Sequence, residues 1–269
     1  MHPRRRVIIG IMRSMLLFAA ALPLAGQVVP PNSMGVSMGH LHIVTPNPEA
    51  HKKLWIDTLG GKLVKAGPLE YAMFPGVFVG WRKGDSSGGT DDSVVNHLGF
   101  LTRDLDATKA KLVANGAEIV REMPEQRQFF AMFPDKVKVE FTEDKKADAP
   151  IKHHHIHFAS HQLEEMRAWY AKMFGAIPGR RFKFEAADLP GVNLSWNPAD
   201  TPTLPTKGRA MDHIGFEIRD LRAFCKKLEA AGVKLDMQPT PRPDLGLTIA
   251  FLTDPWGTRV ELTEGLAKH

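Results

Sequence analysis

The sequence predicts an α+β fold built from four repeated units, each a strand, a helix and several further strands. Three observations carry that prediction. The segment Asn96-His97-Leu98-Gly99-Phe100-Leu101-Thr102-Arg103-Asp104-Leu105 returns as Asp212-His213-Ile214-Gly215-Phe216-Glu217-Ile218-Arg219-Asp220-Leu221, with His, Gly, Phe, Arg, Asp and Leu in register. A second pair of stretches, His40-Leu41-His42 and His155-Ile156-His157, is followed in step by Glu49 and Glu164, Trp55 and Tyr170, and Gly60 and Gly175. Finally, apolar spacing switches repeatedly between the helical period of about 3.6 and the strand period of about 2.

Taken in order, residues 1–26 stand apart. Arg4, Arg5, Arg6 and Arg13 precede a short apolar run, Met15 to Leu24, that ends in Ala25-Gly26. A basic start, an apolar centre and small residues at the end read as a secretory signal, with an uncleaved anchor as the rival, and the expected location is secreted or periplasmic. Residues 27–37 are rich in Pro, Ser and Gly and read as a flexible lead-in. A first half at 38–147 and a second at 150–266 follow, joined by a polar link at 144–150.

In the first half the strand at 40–44 opens the sequence, Val77-Phe78-Val79-Gly80-Trp81 reads as a strand, and Asp104 caps a helix closed by Gly116. Val137-Lys138-Val139-Glu140-Phe141 closes the half. In the second, a strand at 153–159 precedes a helix through Leu163, Met166, Trp169, Tyr170 and Met173, which Gly175 ends. Strand-like runs at 191–196 and 247–252 flank a helix capped by Asp220 and closed by Gly232, and Val260-Glu261-Leu262 closes the chain.

The formal charge of +5 comes from 35 Lys and Arg against 30 Asp and Glu. Four of the arginines lie in the leader and no acid does, so the remainder is near balance and carries no phosphate-tracking surface; nucleic acid is not an expected partner. Cys225 is the single cysteine and can make no internal disulfide. Its neighbours Phe224 and Leu228 place it in a core.

In each half His, His and Glu recur in order: His40, His97 and Glu140, then His155, His213 and Glu261. Two neutral imidazoles and a carboxylate form the facial set that holds a divalent first-row cation with open positions left over. The expectation is one such trio per half. His42 and His157 lie two residues beyond the first His, on the same strand face. Each is a candidate general base, with a supporting hydrogen bonder or an alternative ligand as the other readings. His153 and His154 read as strand-edge residues. Trp81, Phe133, Trp196 and Phe251 suit either a cup lining or ordinary core.

This pattern resembles the vicinal oxygen chelate superfamily of glyoxalases, extradiol dioxygenases, fosfomycin-resistance transferases and bleomycin-binding proteins. The carriers are His155 with Tyr170 and Gly175 beyond it, the Asp212–Phe216 strand, and Asp254-Pro255-Trp256-Gly257-Thr258-Arg259-Val260-Glu261-Leu262. The resemblance implies four βαβββ modules paired into two open barrels, with metal in each cup and His40 and His155, rather than His42 and His157, as first ligands.

Departures narrow the chemistry. The fourth, carboxylate ligand of the glyoxalase pattern falls on Phe78 and Asn193. The tyrosine of the familiar extradiol dioxygenases falls on Phe251 and Phe130, and their extra histidine has no counterpart. The loop Phe133-Pro134-Asp135-Lys136 lacks the glycine of the 254–257 turn, so the first-half site is the one expected to have lost function. The expected protein is an exported enzyme, dependent on a divalent cation (Fe, Mn, Zn or Ni), acting by dioxygenase or lyase/isomerase chemistry on a small oxygen-chelating substrate. A non-catalytic protein that sequesters a small molecule is the alternative. Monomer or homodimer, with no membrane contact after leader removal, completes the expectation.

Overall fold

The computed structural model describes residues 28–269, so the export signal expected at 1–26 lies outside the described residues. Sixteen strands form two open eight-stranded sheets. Four units succeed one another along the chain. Unit one comprises β1 (Val36–Thr45), α1 (Pro48–Lys52) continued by a π-helical turn at Lys53–Thr58, β2 (Lys62–Ala66), β3 (Leu69–Phe74) and β4 (Val77–Lys83). Unit two comprises β5 (Val95–Thr102), α2 (Leu105–Ala114), β6 (Glu118–Met123), β7 (Gln128–Phe133) and β8 (Val137–Glu143). Unit three comprises β9 (Ile151–Ser160), α3 (Leu163–Phe174), β10 (Ile177–Arg181), β11 (Phe184–Leu189) and β12 (Val192–Pro198). Unit four comprises β13 (Met211–Ile218), α4 (Leu221–Ala230), β14 (Leu235–Arg242), β15 (Leu247–Thr253) and β16 (Arg259–Glu264). The βαβββ repeat is thus the one the resemblance implies.

The pairing of units departs from the expected halves. One sheet runs β14-β15-β16-β13-β1-β4-β3-β2, joining unit one to unit four; the other runs β10-β11-β12-β9-β5-β8-β7-β6, joining units two and three. The division into 38–147 and 150–266 marks a sequence repeat, while each sheet takes one unit from each half. The connections explain this. The 144–150 link is short and folded onto β5, with Asp144 N–H donating to Thr102 O (2.8 Å) and Arg103 Nε donating to Ala147 O (2.7 Å). It therefore delivers β9 antiparallel beside β5. The longer segments 84–94 and 199–210 cross between the sheets side by side. They are tied by Val94 N–H to Leu204 O (2.9 Å), Leu204 N–H to Asp92 O (2.7 Å) and Ala210 N–H to Gly88 O (2.8 Å).

Helices pack between the two sheets, Trp55 of the unit-one helical turn against Phe100 and Phe133 and Phe174 of α3 against Phe216 of β13. Asp104 and Asp220 cap α2 and α4 by accepting from Ala107 N (2.9 Å) and Ala223 N (3.0 Å), each worth about 1 kcal/mol. On α3, Met166, Tyr170, Met173 and Phe174 are buried, and Gly175 ends the helix in the left-handed region at φ 72°. Trp196 stacks on Phe158 (5.5 Å, 16°) and Trp55 packs between Phe100 and Phe133 (5.4 and 4.7 Å). Trp81, Phe133 and Trp196 are therefore core, and Cys225 is buried with them, its thiol pushed up to about 11 by burial.

The described part of the lead-in is docked rather than loose. Val28 is buried, and Asn32 donates to Phe174 O (2.9 Å) while its Oδ1 accepts from Met34 N and Val36 N. A bulge on β9 corrects a second expectation. Gly99 pairs with His155 but Phe100 pairs with His153, so the side-chain alternation flips between them. His153 is no edge residue. It is 3% exposed, beside Phe100 at 5.3 Å on the face away from the cup, and neither ring nitrogen has a partner.

Candidate metal centres

Strand pairing decides which histidines meet. β1 runs antiparallel to β13 with His42 opposite His213 and His40 opposite Gly215; β13 runs parallel to β16 with Gly215 beside Glu261. In the other sheet His157 lies opposite His97, His155 opposite Gly99, and Gly99 beside Glu140. The expected trios of one half each are therefore not formed. The cups contain His40, His213 and Glu261 in one, and His97, His155 and Glu140 in the other. Residues 155, 213 and 261 do not converge. All six candidates nevertheless reach a cup, exchanged crosswise, and all six are buried.

The two glycines make this possible. A Cβ on Gly215 would sit 2.0 Å from His40 Cε1, and one on Gly99 would sit 1.9 Å from His155 Cε1. Each imidazole lies directly over the backbone of a glycine two residues after the other histidine. The His-x-Gly pattern that repeats in the sequence is thus half of each site and half of the seat for a ring from a distant strand.

In the first cup, Glu261 Oε2 lies 3.1 Å from His40 Nε2 and 2.8 Å from His213 Nε2. His213 Nδ1 is 2.7 Å from Asp212 Oδ1, which also receives Arg259 Nη1 at 2.7 Å. The carboxylate fixes the ring with its Nδ1–H outward and its Nε2 lone pair inward, the arrangement of a metal-ligating histidine. His213 Nε2 has no hydrogen-bond partner despite its proximity to Glu261, as two donor atoms aimed at one shared point do. Burial opposes charge on His213, but Asp212 and Glu261 outweigh it and raise its pKa. Burial likewise works against the Glu261 carboxylate, yet His40 and His213 hold it well below its usual range. The cup favours a positive charge at its centre, and its donor chemistry fits a divalent cation.

In the second cup, Glu140 Oε2 lies 3.0 Å from His97 Nε2 and 3.5 Å from His155 Nε2. The residue behind His97 is neutral Asn96, 2.9 Å from Nδ1. Burial lowers His97, only partly offset by Glu140, and lowers His155 to about 3. Sequence reasoning missed Arg181 altogether. It reaches in from β10 with Nη2 3.2 Å from His155 Nε2 and Nη1 3.7 Å from Glu140 Oε1. Its signal was the second of two adjacent arginines, Arg180 and Arg181, at the end of an exposed strand, which no motif marks.

His42 stacks on His213 (4.6 Å, 16°) and His157 on His97 (4.5 Å, 26°). Burial first, then the neighbouring histidines, hold both well below the ordinary value, so both are neutral. His42 Nε2 and both nitrogens of His157 lack partners. Phe251 and Phe130 stand edge-on to His213 and His97 (5.3 and 5.1 Å), so Phe251, alone of the four aromatics weighed from sequence, lines a cup. The cavity over the first cup is about 320 Å³ and that over the second about 1000 Å³. Among the described residues no helix is long and apolar enough to cross a membrane.

Comparison with known proteins agrees with this architecture. Residues 152–262 match the Glyoxalase/Bleomycin resistance protein/Dioxygenase superfamily. Over 78 residues the chain is 32% identical to the "Probable lactoylglutathione lyase" of Vibrio cholerae, a match spanning 29% of this chain and 54%, about half, of that protein. A crystal structure of glyoxalase I from Zea mays superposes with TM-score 0.66 at 20% identity, covering 87% of this chain and 94% of the other. A point variant of the same maize protein gives 0.70 at 19% identity, over 87% and 95%.

Proposed function

For a chain that carries a domain of the Glyoxalase/Bleomycin resistance protein/Dioxygenase superfamily over residues 152–262, in a tandem fold of two open sheets, we propose a divalent-metal-dependent enzyme acting on a small substrate with neighbouring oxygens. The observation that carries this is the first cup, where His40, His213 and Glu261 converge and Asp212 holds His213 in the ligating tautomer. A bound divalent cation (Fe, Mn, Zn or Ni) supplies Lewis acidity, polarising chelating oxygens and stabilising a developing anion. The chain does the rest. Phe251 and Tyr71 exclude water from one side of the cavity, Arg242 and Arg259 offer cationic contacts to an anionic substrate group, and His42 presents an unpartnered nitrogen that can take a proton. His157 holds the same place in the second cup.

Lyase or isomerase chemistry is the form we favour, since a lactoylglutathione lyase is among the similar sequences; dioxygenase chemistry is the variant. The position of the glyoxalase fourth ligand holds Phe78, buried, and Asn193, which accepts from Ser195 Oγ. No carboxylate fills that position, and the further protein donors within reach are His42 and His157, whose ring nitrogens lie within 4.8 Å of the cup histidines' donor atoms. That absence favours one second reading, a cup that binds and sequesters a small molecule without turnover. We further propose export through the leader at 1–26 and action as a monomer or homodimer.

The test is elemental analysis of purified protein with His213→Ala and Glu261→Gln as controls, followed by a screen of catechols, α-keto acids and hemithioacetals. Metal that both variants lose, with turnover that a chelator abolishes, supports the enzyme. Ligand binding that survives both chelator and Glu261→Gln supports the sequestering protein.

A further inference from the structure

We propose that Arg181 is a resident cation that stands in for the metal in the second cup, so that this chain loads metal into the first cup alone. The proposal rests on the reading of the first cup as a metal centre.

Arg181 is not a surface side chain that happens to lean inward. Its side chain is 10% exposed; two contacts place its guanidinium on the proposed ligands and a third braces it from behind. Nη2 is 3.2 Å from the Nε2 of His155, the very lone pair an ion would use, and Nη1 is 3.7 Å from Glu140. Nε donates to Ser195 Oγ at 3.0 Å, and Ser195 donates in turn to Asn193 Oδ1 at 2.6 Å. A strut from β12 thus aims the charge into the cup.

The first cup provides an internal control. Arg181 pairs with Phe184 at the tip of the β10–β11 hairpin, and the matching closing pair of the β2–β3 hairpin is Ala66 with Leu69. Asn193 and Ser195 stand opposite His155 and His157, where unit one has Phe78 and Gly80 opposite His40 and His42. Arginine, serine and asparagine therefore replace alanine, glycine and phenylalanine together, and in the second cup the three are joined by hydrogen bonds. A single drifted residue would not bring its strut with it.

Charge points the same way. At the ligands themselves the first cup sets two carboxylates, Glu261 and Asp212, with Arg259 paired to Asp212; Arg82 and Arg242 line the cavity farther out, Arg242 bound to Asp244. The second has Glu140 alone, because Asn96 replaces Asp212, and faces Arg181. Lys138, at the position equivalent to Arg259, is bound to Asp91 instead. A divalent ion entering the second cup meets a like charge at hydrogen-bond range from its own ligands, and like charges in a buried site repel strongly.

The experiment is metal stoichiometry. Wild type, Arg181→Ala, Arg181→Ala with Glu140→Gln, and His213→Ala are stripped, dialysed to equilibrium against Zn²⁺ and analysed for metal per chain. The expected results are one ion, two ions, one ion and none. Arg181→Gln, which keeps the side chain only as far as the nitrogen that donates to Ser195 and removes the charged end, carries the same expectation as Arg181→Ala and serves if the alanine variant fails to fold. Two ions in the wild type, or no gain on removing the Arg181 charge, overturn the inference while leaving the metal reading of the first cup intact. No metal in either wild type or Arg181→Ala overturns both.

Discussion

Replacing Gly215 by alanine tests the crosswise assembly at its tightest point. The new methyl would stand 2.0 Å from Cε1 and 2.2 Å from Nδ1 of His40, whereas non-bonded carbons rest at about 3.5–4.0 Å. His40 must retreat by about 1.5 Å, comparable to a metal–nitrogen bond of about 2.0 Å, so it can no longer share an ion with Glu261 and His213. Losing placement of one ligand in three weakens metal binding at least as much as loss of a supporting hydrogen bond, about 10–100-fold or 1.4–2.7 kcal/mol. Overpacking costs a further ~1–3 kcal/mol of folding stability. The assay is competition with a chelator of known affinity, beside thermal unfolding of the metal-free protein. Gly179→Ala is the control, since a Cβ there meets nothing within 4 Å. Unchanged metal affinity in Gly215→Ala would refute the placement of His40 over the β13 backbone, and with it the first cup.

Other outcomes follow from the same geometry. Asp212→Asn removes the charge that orients His213 and leaves Arg259 without its partner; metal affinity should fall about 10–100-fold by the same competition assay. His153 is buried, with its pKa lowered to about 3 by burial. The unfolded chain binds protons from about pH 6.5 while the folded one resists, so the metal-free protein should lose stability as pH falls from about 6.5 toward 3, at up to about 1.4 kcal/mol per pH unit for each such histidine. His153→Met, which restores the residue found at the matching position Met38, should flatten that slope in denaturant titrations at several pH values. Tyr170→Phe deletes the bond from the hydroxyl to buried Asp254 (2.9 Å) and should cost about 1–3 kcal/mol in urea unfolding. If residues 1–26 direct export, the N-terminus of protein recovered from a producing cell's exterior fractions begins near residue 27, which mass spectrometry reads.

Much of this architecture was legible in the chain itself. The four units, the capped helices and all six candidate ligands follow from repeats that keep His, Gly, Phe and Asp in register. The core strands β4, β12 and β15 announced themselves by apolar runs. The edge strands did not. β10 is almost wholly exposed and contains Pro178 and Gly179, and β14 alternates polar residues with Pro239 and Pro241; proline and solvent exposure suit an edge and erase the strand signal. The pairing of units was also hidden, because a repeat in sequence says which segments are alike and nothing about which lie side by side. That was set by connection length, the short 144–150 link against the two longer crossovers that bond to each other. Glycine held the clue: Gly99 and Gly215 have ordinary backbone angles, so their conservation between repeats needed a steric reason, and the ring of a histidine on another strand supplies it.

The most direct test is anomalous diffraction from crystals grown with Zn²⁺. The account predicts a peak about 2.0–2.2 Å from the Nε2 atoms of His40 and His213 and from Glu261. A peak bound by any other donor set, with none between those three side chains, would contradict it.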